Sequence, residues 1–439
     1  MILRAEKEGT KMKILFRGAE LIGKGVSDIV TDGKFISYIG EKAPEDSYDR
    51  VIDCKNKMML PGLYNCHTHA AMTLFRGYGE DMPLPQWLTE RIFPAEDLLT
   101  GHAVHTASLF AIAEMIRGGI VSFSDMYFFC EDTAAAVEKT GIKANLSRAV
   151  TSFDKDIDMN SDPRFAEAKV LFAGWNNACD GRIKIDMAIH AEYTNVEKAC
   201  RAVAEYASEN SAGLHIHLSE TESEHKECIE RHGKTPAEFF ADCGCFDVPV
   251  TAAHCVWVED GDIELMAKHG VTAVYNPVSN LKLGSGVMPM KKLLDGGVNV
   301  ALGTDGAASN NTLDIFKEMH VGAIAQKGFM RDPSKIGAAE LIAAATVNGA
   351  AAQGRSDSGC LEAGKCADLI LVDLDAINNI PYYDLRYTAV YSACSANVKL
   401  TMVDGNILYE NGEYTTIDEE KLKFDMRNEC GGYFKNKKQ

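Results

Sequence analysis

Eight times between Met58 and Thr304 the chain repeats one unit: a glycine or polar turn, a β-rich run, then an amphipathic stretch. The runs that read as strands are 58–69, 120–127, 143–150, 183–190, 214–219, 250–255, 271–276 and 298–304. Helical periodicity fills the gaps, as in 103–117, 196–209 and 312–328. Strand-then-helix units build parallel sheets, and eight of them are what a closed (β/α)8 barrel requires. An open doubly wound sheet is the competitor. It wants a glycine-rich phosphate turn after the first strand, and that place holds His67-Thr-His69. The expected class is therefore α/β, with a TIM barrel over residues 58–360.

The two ends of the chain read differently. Short strand signals at 13–17, 27–30 and 35–39 have counterparts at 367–373 and in a hairpin around the turn Asp404-Gly405. Neither set is enough for a domain. Residues 1–57 and 361–439 are expected to combine into one small β-domain.

A barrel's active site sits at the C-terminal mouth of its strands. The last residues of the runs are His67 and His69, Tyr127, Arg148, His190, His217 with Glu220, His254, Asn276 and Asp305. Residues kept only for structure would be spread over both barrel ends, so this rim reads as functional. Alternate side chains of a strand share a face, so His67 and His69 converge, and paired imidazoles suit a divalent metal, above all zinc. The expected ligands are His67, His69, His217 and Asp305. Of the two histidines in Leu214-His-Ile-His-Leu218, one is expected on the inner polar face. His217 lies nearer the strand end and is assigned to the metal, His215 to the core. Water on such a metal loses a proton near neutral pH. Glu220 is placed to move that proton to a substrate nitrogen, His254 to orient the attacking oxygen or stabilise its charge, and Asp305 to accept the second proton. A second metal would need a bridging carboxylate or lysine, and the fourth strand ends in His190, with Lys184 at its other end. One Zn2+ per chain is expected.

The remaining features mostly exclude. A formal charge of −18 over 439 residues argues against nucleic acid. No apolar run is long enough for a bilayer and no charged-then-apolar leader opens the chain, so a cytoplasmic protein with no membrane partner is expected. Thirteen cysteines are scattered without a framework and read as reduced thiols. Gly359-Cys-Leu-Glu-Ala-Gly-Lys365 mimics a phosphate loop, but Cys366 stands where Ser or Thr would hold magnesium. The paired-cysteine zinc-deaminase signature is absent. The basic run Lys435-Asn-Lys-Lys438 reads as a frayed tail.

Pro61-Gly-Leu-Tyr-Asn-Cys-His-Thr-His69, His217-Leu-Ser-Glu220, Ala252-Ala-His-Cys-Val256 and Gly303-Thr-Asp-Gly-Ala-Ala-Ser-Asn-Asn311 resemble the amidohydrolase superfamily. More narrowly they resemble its 5′-methylthioadenosine/S-adenosylhomocysteine deaminases, over nearly the whole chain. The resemblance implies a distorted (β/α)8 barrel, a β-sandwich built from both ends, one zinc, and hydrolytic deamination of an adenine ring with release of ammonia. It implies metal binding at His67, His69, His217 and Asp305, and proton handling at Glu220 and His254. It also places Trp87, Glu96, Arg148, Arg164, His190 and Ser309 against a purine nucleoside. Trp87 would be an aromatic wall, and Glu96 an acceptor for ribose hydroxyls. Arg148 and Arg164 would clamp a homocysteine carboxylate, and His190 and Ser309 would reach ring nitrogens. The implied substrates are S-adenosylhomocysteine, 5′-methylthioadenosine and adenosine. The alternatives are deamination or related hydrolysis of another aminopurine, a pterin or a triazine, and a barrel kept as an inert scaffold. The oligomeric state is left open, a homo-oligomer included.

Overall fold

Residues 12–435 are described by the structure, a computed structural model. The tail beyond Lys435 lies outside them. Among the described residues two sheets form. In the first, consecutive strands lie side by side and parallel: Leu63–Thr68, Ile120–Tyr127, Lys143–Val150, the pair Ile183–Ile185 and Met187–Ile189, Leu214–Leu218, Val250–His254, Thr272–Tyr275 and Asn299–Leu302. This is the expected barrel, in the expected order. Its strands are buried along almost their whole length, since side chains face either the barrel interior or the surrounding helices. The fourth strand is broken at Asp186 into two short pieces.

Where the first and last strands meet, side chains do much of the joining. The Asn65 amide donates to Thr304 Oγ1 (2.7 Å) and its carbonyl accepts from Thr304 N (2.9 Å). Asp305 N donates to His67 O (2.9 Å), and Thr68 Oγ1 to Asp305 O (2.9 Å).

The apolar run 58–69, read as one strand, is two. Lys57–Pro61 belongs to the other sheet, antiparallel to Leu369–Asp373 and parallel to Lys13–Leu21. The chain changes sheets at Gly62, where a Cβ would come within 2.3 Å of Val121 Cγ1. Pro61 just before it has no N–H to continue a ladder.

The second sheet draws on both chain ends, as expected. Its order runs from Glu413–Tyr414 and Asn406–Glu410 through Val398–Val403, Leu369–Asp373, Lys57–Pro61 and Lys13–Leu21 to Gly25–Asp32 and Phe35–Gly40. The sandwich takes the form of this one sheet curled on itself. Phe35 bridges back to Cys366, with Ile36 N on Lys365 O (2.9 Å) and Ala367 N on Lys34 O (2.8 Å). Phe16, Ile29, Ile36, Met59, Leu371 and Leu400 fill the curl. A register shift between Phe16 and Ala19, at Gly18 with φ +72°, bends the long strand.

Lys143 joins the two sheets, its buried ammonium 2.5 Å from Asp368 Oδ2 and 2.7 Å from Asp404 Oδ1. The helix Glu419–Lys435, from the segment assigned to the small domain, packs on Gly101–Arg117 of the barrel. All thirteen cysteines are free and most are buried, and among the described residues no helix is long and apolar enough to cross a membrane.

Candidate active site

The strand ends converge. Nε2 of His67 and of His69 lie 3.4 and 3.3 Å from Asp305 Oδ1. One ligand atom from each of these three residues lies within 4.8 Å of the others, and the same holds for His67, His217 and His254. The rings of His67 and His217 are 4.9 Å apart, centre to centre.

Each imidazole is aimed from behind. His69 Nδ1 lies 2.6 Å from Met126 O and His217 Nδ1 2.6 Å from His190 O. A carbonyl only accepts, so both protons sit on Nδ1 and both Nε2 lone pairs face the centre. His67 Nδ1 lies 2.9 Å from His215 Nε2. His67 Nε2 is fully buried and has no hydrogen-bond partner, which is costly for a polar atom unless a cation takes its lone pair. Burial holds His67 down to about 3, and His217 and His215 well below the usual imidazole range, so all three are neutral, which suits His67 and His217 for ligation. Burial by itself would raise the Asp305 carboxyl. The facing His67, its Nε2 3.4 Å from Oδ1, together with the field of His69 and His254, outweighs it and keeps Asp305 ionised. The hydroxyls of Ser279 (2.6 Å) and Ser309 (2.8 Å) donate to its Oδ2. Three imidazoles and one carboxylate are a donor set suited to zinc.

His215, assigned to the core, in fact points inward beside the ligands. Residues two apart on a strand share a face, so both histidines of Leu214–Leu218 face the barrel interior, and His215 positions His67.

Glu220 precedes the helix Glu222–His232 and is not part of its first turn. Glu224 in that turn accepts from the backbone N–H of Ser219 (3.0 Å) and Glu220 (2.8 Å), pinning the strand end. Glu220 Oε2 stands 3.7 Å from His254 Nε2, and Oε1 accepts from Ser285 Oγ (3.3 Å). Burial pushes the Glu220 carboxyl up. His254, which burial would lower, is held up by Glu220 and Asp305, and its Nδ1 bonds Asn280 Oδ1 (2.8 Å). Ser219, His254 and Asp305 all have left-handed backbone, φ +47°, +75° and +61°. Such conformations cost about 1 to 3 kcal/mol each and persist where surrounding bonds enforce them.

A cavity of about 1280 Å³ runs outward from these groups, and all six expected substrate residues line it. Trp87 is buried in a helical stretch over 84–96 that widens to a π-turn at Leu88–Ile92. Burial lifts the Glu96 carboxyl to about 7 against a hydrogen bond from Tyr127. Burial holds His190 down to about 4, and its ring lies 4.8 Å from that of His217. The Ser309 proton goes to Asp305, leaving its oxygen as an acceptor. Arg148 bonds Glu167 through Nε (2.6 Å) and Ala149 O through Nη1 (2.6 Å), over the Phe128 ring. Arg164 is half exposed, with Nη1 on Thr151 O (3.2 Å).

Sequence reasoning missed Glu224, Ser279, Asn280 and Ser285. The signal for Ser279 and Asn280 was their place directly after the seventh strand, in Asn276-Pro-Val-Ser-Asn280.

The pattern of the amidohydrolase family matches residues 58–408. Over 427 residues the chain is 43% identical to 5-methylthioadenosine/S-adenosylhomocysteine deaminase of Acetivibrio thermocellus, covering 95% of this chain and 98% of that one. It is 44% identical over 399 residues to 5'-deoxyadenosine deaminase of Methanosarcina acetivorans, covering 91% of each. Among solved structures, an adenosine deaminase from Xanthomonas campestris with bound zinc matches at TM-score 0.90 and 30% identity, over 96% of this chain and 98% of that one. A zinc complex of atrazine chlorohydrolase TrzN from Arthrobacter aurescens shares the fold at TM-score 0.88 and 24% identity, over 95% of this chain and 100% of that one.

Proposed function

The chain belongs to the amidohydrolase family, and from that premise we propose that it hydrolytically deaminates the adenine ring of 5′-thio-substituted nucleosides, using one zinc ion per chain. The observation that carries this reading is a single one. Two clusters of ligand atoms that share His67, one with His69 and Asp305 and one with His217 and His254, and a buried Glu220–His254 pair open into one cavity whose walls offer an aromatic face, a ribose acceptor and guanidinium groups. The names of the relatives support the same substrate class.

His67, His69, His217 and Asp305 would hold the zinc, which when bound supplies a water acidic enough to attack near neutral pH. Glu220, lifted towards neutrality by burial, accepts one proton from the attacking water and delivers it to the ring nitrogen beside the amine-bearing carbon. His254 faces Glu220 across 3.7 Å and donates to the attacking oxygen. Asp305 accepts the second proton, which returns with the help of Glu220 to the departing amine. The ring gains a carbonyl oxygen and ammonia leaves. Trp87 packs on the purine or thioether, Glu96 accepts from the ribose, His190 meets a ring nitrogen, Ser309 accepts from the ring nitrogen once Glu220 has protonated it, and Arg148 and Arg164 face the 5′ substituent.

S-adenosylhomocysteine thereby becomes S-inosylhomocysteine, and 5′-methylthioadenosine becomes 5′-methylthioinosine, with adenosine as a further substrate. An ammonia-release screen over these nucleosides and guanine, on protein of measured zinc content, tests the reading. Release from the adenine nucleosides is expected. Release from guanine alone overturns it.

A further inference from the structure

The cavity has two guanidinium groups away from the ligand cluster, and both already face acids. Arg148, largely buried, is bonded at 2.6 Å by Glu167, whose side chain is 58% exposed. Arg164 lies 3.7 Å from Asp162, which also caps the helix Pro163–Trp175 by accepting from Phe165 N. Glu96, Asp97, Glu131 and Asp132 add further carboxylates to the same walls. Exposed apolar side chains share the lining: Phe93, Phe129, Phe153 and Val170.

A carboxylate entering this region must displace Glu167 from Arg148 or share the guanidinium with it. It does so amid a surplus of negative charge, and like charges at contact repel. A neutral tail meets apolar surface and displaces nothing.

We propose that Glu167 sets tail specificity: nucleosides with neutral, apolar 5′ substituents are the preferred substrates, and anionic tails are disfavoured. This rests on the deaminase reading above and narrows it. A zwitterionic tail, which brings its own ammonium to Glu167, falls between the two.

The test uses adenosines carrying a 5′-isopentylthio or a 5′-(2-carboxyethyl)thio group, close in size and different in charge. Wild-type kcat/KM is expected to favour the neutral compound. Glu167→Gln keeps an acceptor for Arg148 but removes the charge, and it should narrow that preference about tenfold. Because Glu167 is mostly exposed, the variant folds. Calorimetric Kd values for the two corresponding inosines, which need no turnover, should shift in the same ratio. A wild type that prefers the carboxylate, or a ratio unchanged in the variant, overturns the proposal. If neither adenosine releases ammonia, the deaminase reading falls, and the calorimetric ratio still decides the role of Glu167.

Discussion

The floor of the cavity and its mouth are held in place by different means. At the floor the backbone does much of the holding, backed by buried side chains such as Ser279 on Asp305, His215 on His67 and Asn280 on His254. Two ligand imidazoles bond carbonyls, Glu224 grips the amides around Glu220, and Asp305 N bonds His67 O. At the mouth the partners are exposed side chains as well as backbone: Arg148 bonds Glu167 and Ala149 O, Arg164 bonds Thr151 O and lies near Asp162, and Phe153 stands 75% exposed. Groups fixed by backbone keep their geometry as a reaction proceeds, which is what electrostatic catalysis needs. Groups fixed by one another can be re-paired without disturbing the barrel. On the proposed function, reaction type and substrate choice would then sit in separate layers of one cavity.

The largest test of that division is Glu220→Gln. Zinc should stay bound, measured by metal analysis, while ammonia release falls about a thousandfold. A variant within tenfold of wild type would break the assignment of the floor. Next comes His215→Phe, which takes the partner from His67 Nδ1. Competition with a chromophoric chelator should show metal affinity reduced about 10- to 100-fold, and unchanged affinity would mean that His67 needs no support. Glu96→Gln at the wall should raise KM about tenfold through lost ribose hydrogen bonds. Burial raises the Glu96 carboxyl to about 7, so the ionised, ribose-accepting form is lost as pH falls below that value. KM of the wild type should therefore climb on the acid side, and the variant should lack that climb. The smallest effect belongs to Phe153→Ser at the mouth. Thermal unfolding should change by less than about 0.5 kcal/mol, with KM for an apolar tail raised a fewfold. A large loss of stability there would erase the contrast between the two layers.

Much of the barrel could be read from periodicity, because glycines and polar turns punctuate the apolar runs and the strand ends fall within a residue or two of their expected positions. The change of sheet at Gly62 could not, since an apolar strand looks alike whichever sheet it joins. Nor could the break at Asp186. The candidate ligands could be named from the sequence because they lie at strand ends, and the structure brings His67, His69 and Asp305 within 4.8 Å of one another. His215 faces inward with His217 because two-residue spacing on a strand keeps one face, although the expectation put only one of them there. Ser279, Ser285 and Glu224 are ordinary turn and helix-start residues, and only tertiary contact gives them work. The Arg148–Glu167 pair joins a strand to a helix, and no local pattern announces such a partner.

The seam between first and last strands has a consequence for how the molecule is made. Asn65 and Thr304 are 239 positions apart, so a growing chain carries its leading histidines through more than half of its 439-residue synthesis before Asp305 arrives. Contacts that distant form late, and a ligand that binds only the finished ring deepens the folded basin by mass action. With zinc as that ligand, as proposed, its supply would govern how much newly made polypeptide escapes degradation as well as turnover.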